Sequence, residues 1–299
     1  MKIGLYPGCS FEGSAREYAE SLHAIAPKIG LELKEVEGWN CCGASSAHAV
    51  DHLLSLALPA KILAQAEQQK IDEIVVPCAA CYNRLASVKS ELAAEQKTRD
   101  EVVKIMNMPY AGSTTIKNIL EVLDRLLTPE TVKTFPAAFP YKVACYYGCL
   151  LVRPKSVIHA ERMEDPMQMD ELMKRIGAAP LDWGMKTECC GASFSITRTD
   201  IVGKLCGDIL EDAVIRGAQA IIVACPMCHS NLDMRRAEIE KVTGKKYDIP
   251  VLYITQAIGL ALGLTPKQLG LQRHFVPVSV KGKQKNQQNV PAASKAAVA

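Results

Sequence analysis

The chain has 299 residues, 48% of them hydrophobic and 22% charged, a balance that excludes a mostly disordered protein. No run approaches the ~18 consecutive apolar residues of a membrane span, and Met1-Lys2-Ile3-Gly4-Leu5-Tyr6-Pro7 reads as a short strand and turn where a secretory leader would be apolar, so a cytoplasmic location is expected. Residues 249–299 carry six basic and no acidic side chains, which turns a net charge of +3 into −3 for the remainder and gives no support to a nucleic-acid-binding face.

In chain order, the first predicted strand ends in Gly8-Cys9. A helix is expected over 14–29, where Ala15, Tyr18, Ala19, Leu22, Ile25 and Ala26 recur at helical spacing, with Ser14 as its cap and Gly30 as its stop. Cys41-Cys42-Gly43 follows, then a buried strand over 71–76, Cys78-Ala79-Ala80-Cys81, and a helix over 82–92. Pro136 and Pro140 mark an extended connection across 134–140. Beyond it the order repeats: Val143-Ala144-Cys145-Tyr146-Tyr147-Gly148-Cys149, Cys189-Cys190-Gly191, a strand over 219–223, Cys225-Pro226-Met227-Cys228 and a helix from about Met227. From about Val276 the chain is rich in Lys, Gln, Asn, Ala and Ser and is expected to be a flexible basic tail.

The offsets between matching cysteines are 140 (Cys9 to Cys149), 148 (Cys41 to Cys189) and 147 (Cys78 to Cys225). A nearly constant offset over three landmarks implies two copies of one domain, 1–135 and 140–275, followed by the tail 276–299. Strands alternating with helices indicate an α/β fold of tandem homologous domains related by a pseudo-twofold, each with a parallel βαβ sheet. Because Cys9, Cys78, Cys149 and Cys225 each follow a strand-like run directly, the cysteine loops should gather at the carboxyl edge of each sheet.

Twelve cysteines in a reducing compartment point to metal or redox chemistry. Each copy offers five in the same order: Cys9, Cys41, Cys42, Cys78 and Cys81, then Cys149, Cys189, Cys190, Cys225 and Cys228. Two residues between cysteines let both sulfurs face one centre. Adjacent cysteines do so only in a bent loop, which the following glycine permits. Five thiolates exceed the four of a tetrahedral zinc site or a regular four-iron cube, and suggest an enlarged or opened cluster; zinc at one motif is the lesser alternative. Cys145 and Cys206 have no partner in the other copy and are expected in the core. His229 follows Cys228, where a proton donor would serve a departing thiol, and Arg153 and Lys155 follow Cys149, where they could hold an anionic group. Met163, Met167, Met169 and Met173 are expected to pack a helix.

The order of cysteine, Cys-Cys-Gly and Cys-x-x-Cys, twice over residues 1–275, resembles the cysteine-rich CCG domain and, in this tandem arrangement, the B-type subunit of heterodisulfide reductase. Tyr6-Pro7-Gly8-Cys9, Cys41-Cys42-Gly43, Cys78-Ala79-Ala80-Cys81-Tyr82-Asn83 and Cys225-Pro226-Met227-Cys228-His229 carry the likeness. The resemblance implies a noncubane [4Fe-4S] cluster on each set of five cysteines and a substrate disulfide held between them. It implies cleavage by electrons from both sides. Cys42, Cys190 and His229 are the candidate catalytic residues. The chain has neither a ferredoxin cysteine run nor a GxGxxG fingerprint, so electrons must come from elsewhere. The resemblance implies a ferredoxin-like iron–sulfur subunit of the C type and a flavoprotein subunit of the A type as partners. Related complexes run in reverse, oxidising thiols during sulfur oxidation. CCG domains also occur in electron-relay subunits of hydroxy-acid and glycerol-3-phosphate oxidising enzymes, which is the alternative expectation.

Overall fold

The computed structural model describes residues 1–44, 46–279 and 281–284. The first sheet holds β1 (Lys2–Leu5), β2 (Glu32–Glu35), β3 (Glu73–Val76) and β4 (Thr115–Asn118) in the order β2-β1-β3-β4, all parallel. A short β5 (Ala137–Ala138) lies in the connection between the copies. The second sheet repeats the first: β6 (Lys142–Tyr146), β7 (Ala179–Pro180), β8 (Ala220–Val223) and β9 (Val251–Tyr253), ordered β7-β6-β8-β9 and again parallel.

The strand sequences explain their places. Ile74, Val75 and Val76 of β3 and all four residues of β8 are buried, as a central parallel strand covered on both faces requires. Glu32, Lys34 and Glu35 of β2 leave that edge strand polar and solvent-facing, which protects it from pairing with other chains. The helix Ala79–Ala94 begins directly after Cys78, and Thr199–Ile215 carries Cys206 on its buried side.

Several boundaries differ from the sequence expectation. The helix expected over 14–29 runs Arg16–Ile25 and tightens into a 3-10 turn, Ala26–Ile29, before Gly30. Ser14 does not cap it; Ala15 stands at the cap without a side-chain bond, because Ala15 N is tied to Ser10 O of the short helix Gly8–Glu12. The helix after Cys225 is broken into Pro226–His229, a π turn Ser230–Met234, and Arg236–Thr243. The expected tail starts later than residue 276. Asp233, fully buried, accepts backbone N–H groups from Phe275 (2.8 Å) and Val276 (3.2 Å), and β10 (Lys283–Gln284) pairs antiparallel with β5. These contacts hold the chain to the second copy; the rest of the expected tail, 285–299, lies outside the described residues.

The two copies pack through unlike elements. In the first, the helix Arg16–Ile25 follows Cys9 and lies on the helix Ile254–Ala261 of the second. Tyr18 stacks on Tyr253 at 4.0 Å and 10°, and the Ser21 and Thr255 hydroxyls meet at 2.6 Å. In the second copy no helix follows Cys149 until Gln168–Arg175. There Asn83 of the first copy reaches across to Leu150 O (3.2 Å) and Arg153 O (2.6 Å). The missing helix leaves a cleft of about 1040 Å³ between the copies, with Tyr82 and Lys117 on one wall and Tyr147, Leu151 and Val152 on the other. Met169 and Met173 are buried in Gln168–Arg175.

Candidate metal centre

Both sheets deliver their cysteines to the same side. Cys9 follows β1 and Cys78 follows β3; Cys149 follows β6 and Cys225 follows β8. The loop after β2 brings Cys41 and Cys42 to the first set, and the loop after β7 brings Cys189 and Cys190 to the second. Gly43 (φ +71°) and Gly191 (φ +77°) give each cysteine pair the bend that adjacent ligands need.

The sulfurs converge. Cys42 and Cys81 Sγ lie 3.1 Å apart, and Cys190 and Cys228 Sγ lie 3.7 Å apart. Thiol contacts continue from Cys41 to Cys42, from Cys81 to Cys78, and from Cys225 to Cys228; Cys149 meets Cys189. The two sets join where Cys78 faces Cys225. All twelve cysteines are free thiols. Cys42, Cys78, Cys81, Cys190, Cys225 and Cys228 form a buried floor, while Cys9, Cys41 and Cys189 are exposed and Cys149 is half-buried. Each centre is therefore closed on the core side and open on the other.

This environment favours thiolates at defined places. Cys42 is pushed far below the ordinary thiol value by hydrogen bonding with Cys41 and Cys81, against the cost of burial. Cys189 is pushed down to about 6 by Cys149, with backbone N–H groups of Gly191 and Ala192 assisting. Cys225 is lowered by Cys228 and Cys78, and Cys41, Cys81, Cys149 and Cys228 are raised in turn by their thiol neighbours. A second feature fits a bound group. Gly8 (φ +66°) and Gly148 (φ +65°) pass so close to the thiols that a Cβ there would stand 3.3 Å from Cys81 Sγ and 2.9 Å from Cys228 Sγ. The donor set, its depth and these two side-chain-free passages suit a sulfur-ligated metal centre in each copy.

The structure gives nine of the motif cysteines a thiol contact, sets Cys9 on the exposed side near Cys41, and places the other expected residues elsewhere. His229 is buried between the copies, stacked on Tyr253 at 4.3 Å; its Nε2 meets Val251 O at 3.1 Å and its Nδ1 lies 3.7 Å from Glu17. Burial holds its pKa well below the usual value, so it is neutral, with the Nε2 proton on the carbonyl. Arg153 is paired with Glu164, and Lys155 stands exposed. Cys145 and Cys206 are fully buried; Cys206 Sγ also donates to Cys190 O at 3.4 Å, beside the Asn231 amide at 2.9 Å.

Three supports were not read from sequence. Tyr6 and Tyr146 donate to the carbonyls of Asn40 (2.9 Å) and Glu188 (2.6 Å), each immediately before a cysteine pair. Their equal place before Gly-Cys in both repeats was the available signal. The buried Lys186 accepts Tyr147 and Gly148 N–H groups at its own carbonyl (2.9 and 3.1 Å) and pairs its ammonium with Asp165 and Asp170. It has no counterpart in the first copy, where Gly38 stands at the same distance before the cysteine pair, so the repeat did not reveal it.

Residues 3–86 and 143–233 match the cysteine-rich domain family, CCG. The chain is 31% identical over 284 residues to the 8-methylmenaquinol:fumarate reductase membrane anchor subunit of Wolinella succinogenes, covering 94% of this chain and 99% of that one. It is 30% identical over 284 residues to the B-type subunit of the ferredoxin/F(420)H(2)-dependent CoB-CoM heterodisulfide reductase of Methanosarcina acetivorans, covering 92% and 94%. Among solved structures, a hypothetical protein from Helicobacter pylori shares the fold with a TM-score of 0.76 at 14% identity; this chain is covered to 93% and spans about half (52%) of that one. Among the described residues no helix is long and apolar enough to cross a membrane. With both repeats inside the matched segments, the chain belongs to the family of heterodisulfide reductase B-type subunits and is built of two cysteine-rich CCG domains.

Proposed function

We propose that this chain is the iron–sulfur catalytic subunit of a heterodisulfide-reductase-like complex in the cytoplasm. Cys9, Cys41, Cys42, Cys78 and Cys81 would hold one [4Fe-4S] cluster of noncubane type, and Cys149, Cys189, Cys190, Cys225 and Cys228 a second. The observation that carries the reading is the meeting of two five-thiol sets at Cys78 and Cys225. When bound, such clusters supply single electrons and iron as a Lewis acid for sulfur. The reaction is the uptake of two electrons and two protons by a disulfide to give two thiols, or its reverse.

The chain's own residues account for the rest. The buried cysteine floor keeps water from the core side, and the exposed edge at Cys9, Cys41 and Cys189 leaves an approach for substrate. The cleft beside Tyr82 and Tyr147 gives room for the parts of a substrate that do not react. His229 is held by Val251 and faces Glu17, contacts that support a role in joining the copies more than proton delivery. Electrons would enter from a ferredoxin-like subunit and, behind it, a flavoprotein subunit, since this chain has no dinucleotide fingerprint.

A second reading is favoured by the fumarate reductase relative, whose named reaction involves no disulfide: an electron-relay subunit with the same two centres. Single turnover separates the two. Anaerobic protein reduced chemically and freed of reductant is mixed with a mixed disulfide of two small thiols. The catalytic reading expects reoxidation with release of free thiols; a reduced protein that persists with no thiol formed supports the relay.

A further inference from the structure

The second copy holds a buried ammonium that the first copy lacks. Gly38 stands where Lys186 does, three residues before the cysteine pair, and Pro7 stands where Tyr147 does, directly before the glycine of positive φ. The Lys186 side chain is 3% exposed, and a cation at that depth is costly unless acceptors surround it. Its ammonium meets Asp165 Oδ1 at 2.8 Å, Asp170 Oδ1 at 3.2 Å, Pro166 O at 3.3 Å and Met167 Sδ at 3.2 Å. All but Asp170 belong to one short stretch, residues 165–167. Asp170, itself buried, accepts the Tyr147 hydroxyl at Oδ2 (2.7 Å), and that hydroxyl accepts the N–H groups of Met169 (2.7 Å) and Asp170 (3.1 Å). Lys186 thus knots residues 165–170 to the loop before Cys189 and to the strand end before Cys149.

The stretch so fastened is the far end of a segment with neither helix nor strand. That segment runs from the end of β6 to the helix Gln168–Arg175, and it forms the outer wall of the cleft through Leu151, Val152, Val157, Ile158, Pro166 and Met167. Its near end is held from the first copy by the Asn83 amide on Leu150 O and Arg153 O. Residues 154–164 span the distance between the two anchors and carry the exposed Lys155 and Arg162. Backbone without a helix or ladder of its own keeps its place only through such anchors.

We propose that Lys186 is a positioning residue: its ammonium fastens the segment 150–167 as the wall of the cleft and so sets which disulfides the cleft grips. The inference rests on the catalytic reading above, in which the cleft receives the parts of a substrate that do not react. Without the fastening the wall is formed for only a fraction of the time, and the apparent affinity for a substrate that leans on it falls by that fraction. A small disulfide that does not reach the wall is unaffected.

The test compares the anaerobic holoprotein with Lys186→Met, iron being counted in each. Lys186→Met leaves the buried Asp170 without its cation, so the double variant Lys186→Met/Asp170→Asn, which removes both charges and keeps an acceptor for Tyr147, stands beside it. Brief trypsin treatment should cut the variants after Lys155 and Arg162 faster than wild type, by roughly tenfold if the wall is formed a tenth of the time, with no change after Lys104, an exposed site in the helix Gln96–Met106 of the first copy. With reduced methyl viologen as electron donor, KM for a mixed disulfide with one phenylethyl arm should rise by the same factor at unchanged kcat, while KM for bis(2-hydroxyethyl) disulfide stays. Tryptic rates and KM equal to wild type in the double variant, with iron retained, overturn the inference. Equal rises of both KM values, or faster cutting at Lys104 as well, mark a general loosening and also overturn it. Turnover of neither disulfide by wild type overturns the catalytic reading instead; faster cutting confined to Lys155 and Arg162 then still upholds the fastening.

Discussion

At the scale of single residues, the motif cysteines and the two extra cysteines have different work. Cys42 and Cys190 belong to the converging sets, so under the proposed function Cys42→Ala or Cys190→Ala should alter the cluster spectrum and abolish disulfide turnover, one copy's loss being enough if cleavage draws on both sides. Cys206→Ala should cost about 1 kcal/mol as a small core deletion and keep its iron, since Asn231 still holds the Cys190 carbonyl. Denaturant midpoints and iron counts on these variants check both outcomes. The buried Glu17 gives a pH test. Its folded pKa is raised above 4.5, chiefly by burial, so the unfolded chain loses the proton first. Stability is then unaffected by this group below about pH 4.5 and falls as pH rises from there through the raised folded value. Glu17→Gln should flatten that part of the stability profile; an unchanged slope would place the proton elsewhere. The ten cysteines proposed as ligands could be singled out in the sequence because each occurs twice in one order. The tyrosine donors and Lys186 could not, because a hydroxyl or ammonium in a strand or loop has many structural uses and sequence does not show which carbonyl it meets.

At the scale of elements, the strand-to-cysteine junctions are the sensitive points. Gly8 and Gly148 both sit at positive φ beneath the sulfur of a motif cysteine, Cys81 or Cys228. Alanine at either site bears ~1–2 kcal/mol of left-handed strain, and the approach is tighter at Gly148 (2.9 Å) than at Gly8 (3.3 Å). Gly148→Ala should therefore lose more iron than Gly8→Ala, as measured by iron per chain after anaerobic purification. The C-terminal segment offers a second check. Truncation after Gln284 keeps the Asp233 contacts, whereas truncation before Phe275 leaves a buried carboxylate without two N–H donors and should lower the denaturant midpoint. The parallel sheets and the cysteine edge followed from the alternation of apolar runs and helical spacing; the strand order within each sheet did not. Helix ends did not, as the misplaced cap at Ser14 shows: the local signal was overruled by the bond from Ala15 N to Ser10 O, a contact made possible by the short helix after Cys9. The start of the tail was misjudged for a similar reason, because its composition conceals two backbone donors that a buried aspartate requires.

At the scale of the whole molecule, the repeat is symmetric in its sheets and cysteines and asymmetric in how the copies meet. The Tyr18–Tyr253 stack and the Ser21–Thr255 pair fill one side, and the Asn83 amide spans the other beside the open cleft. Sequence periodicity revealed the two domains but not this interface, since the segment 148–167 carries no clear helical or strand pattern to compare with its counterpart. Because the facing elements bury aromatic rings against each other, the copies should unfold in one transition, and Tyr253→Ala should destabilise the whole chain by ~3–5 kcal/mol. Two separate calorimetric transitions would show that the copies stand independently. The central claim is that each copy's five thiolates hold a four-iron cluster, and counting iron, sulfide and zinc per chain in anaerobically purified, iron-replete protein tests it most directly. The account predicts about eight irons and about eight sulfides per chain with negligible zinc; zinc at both sites, or a chain free of iron, would contradict it.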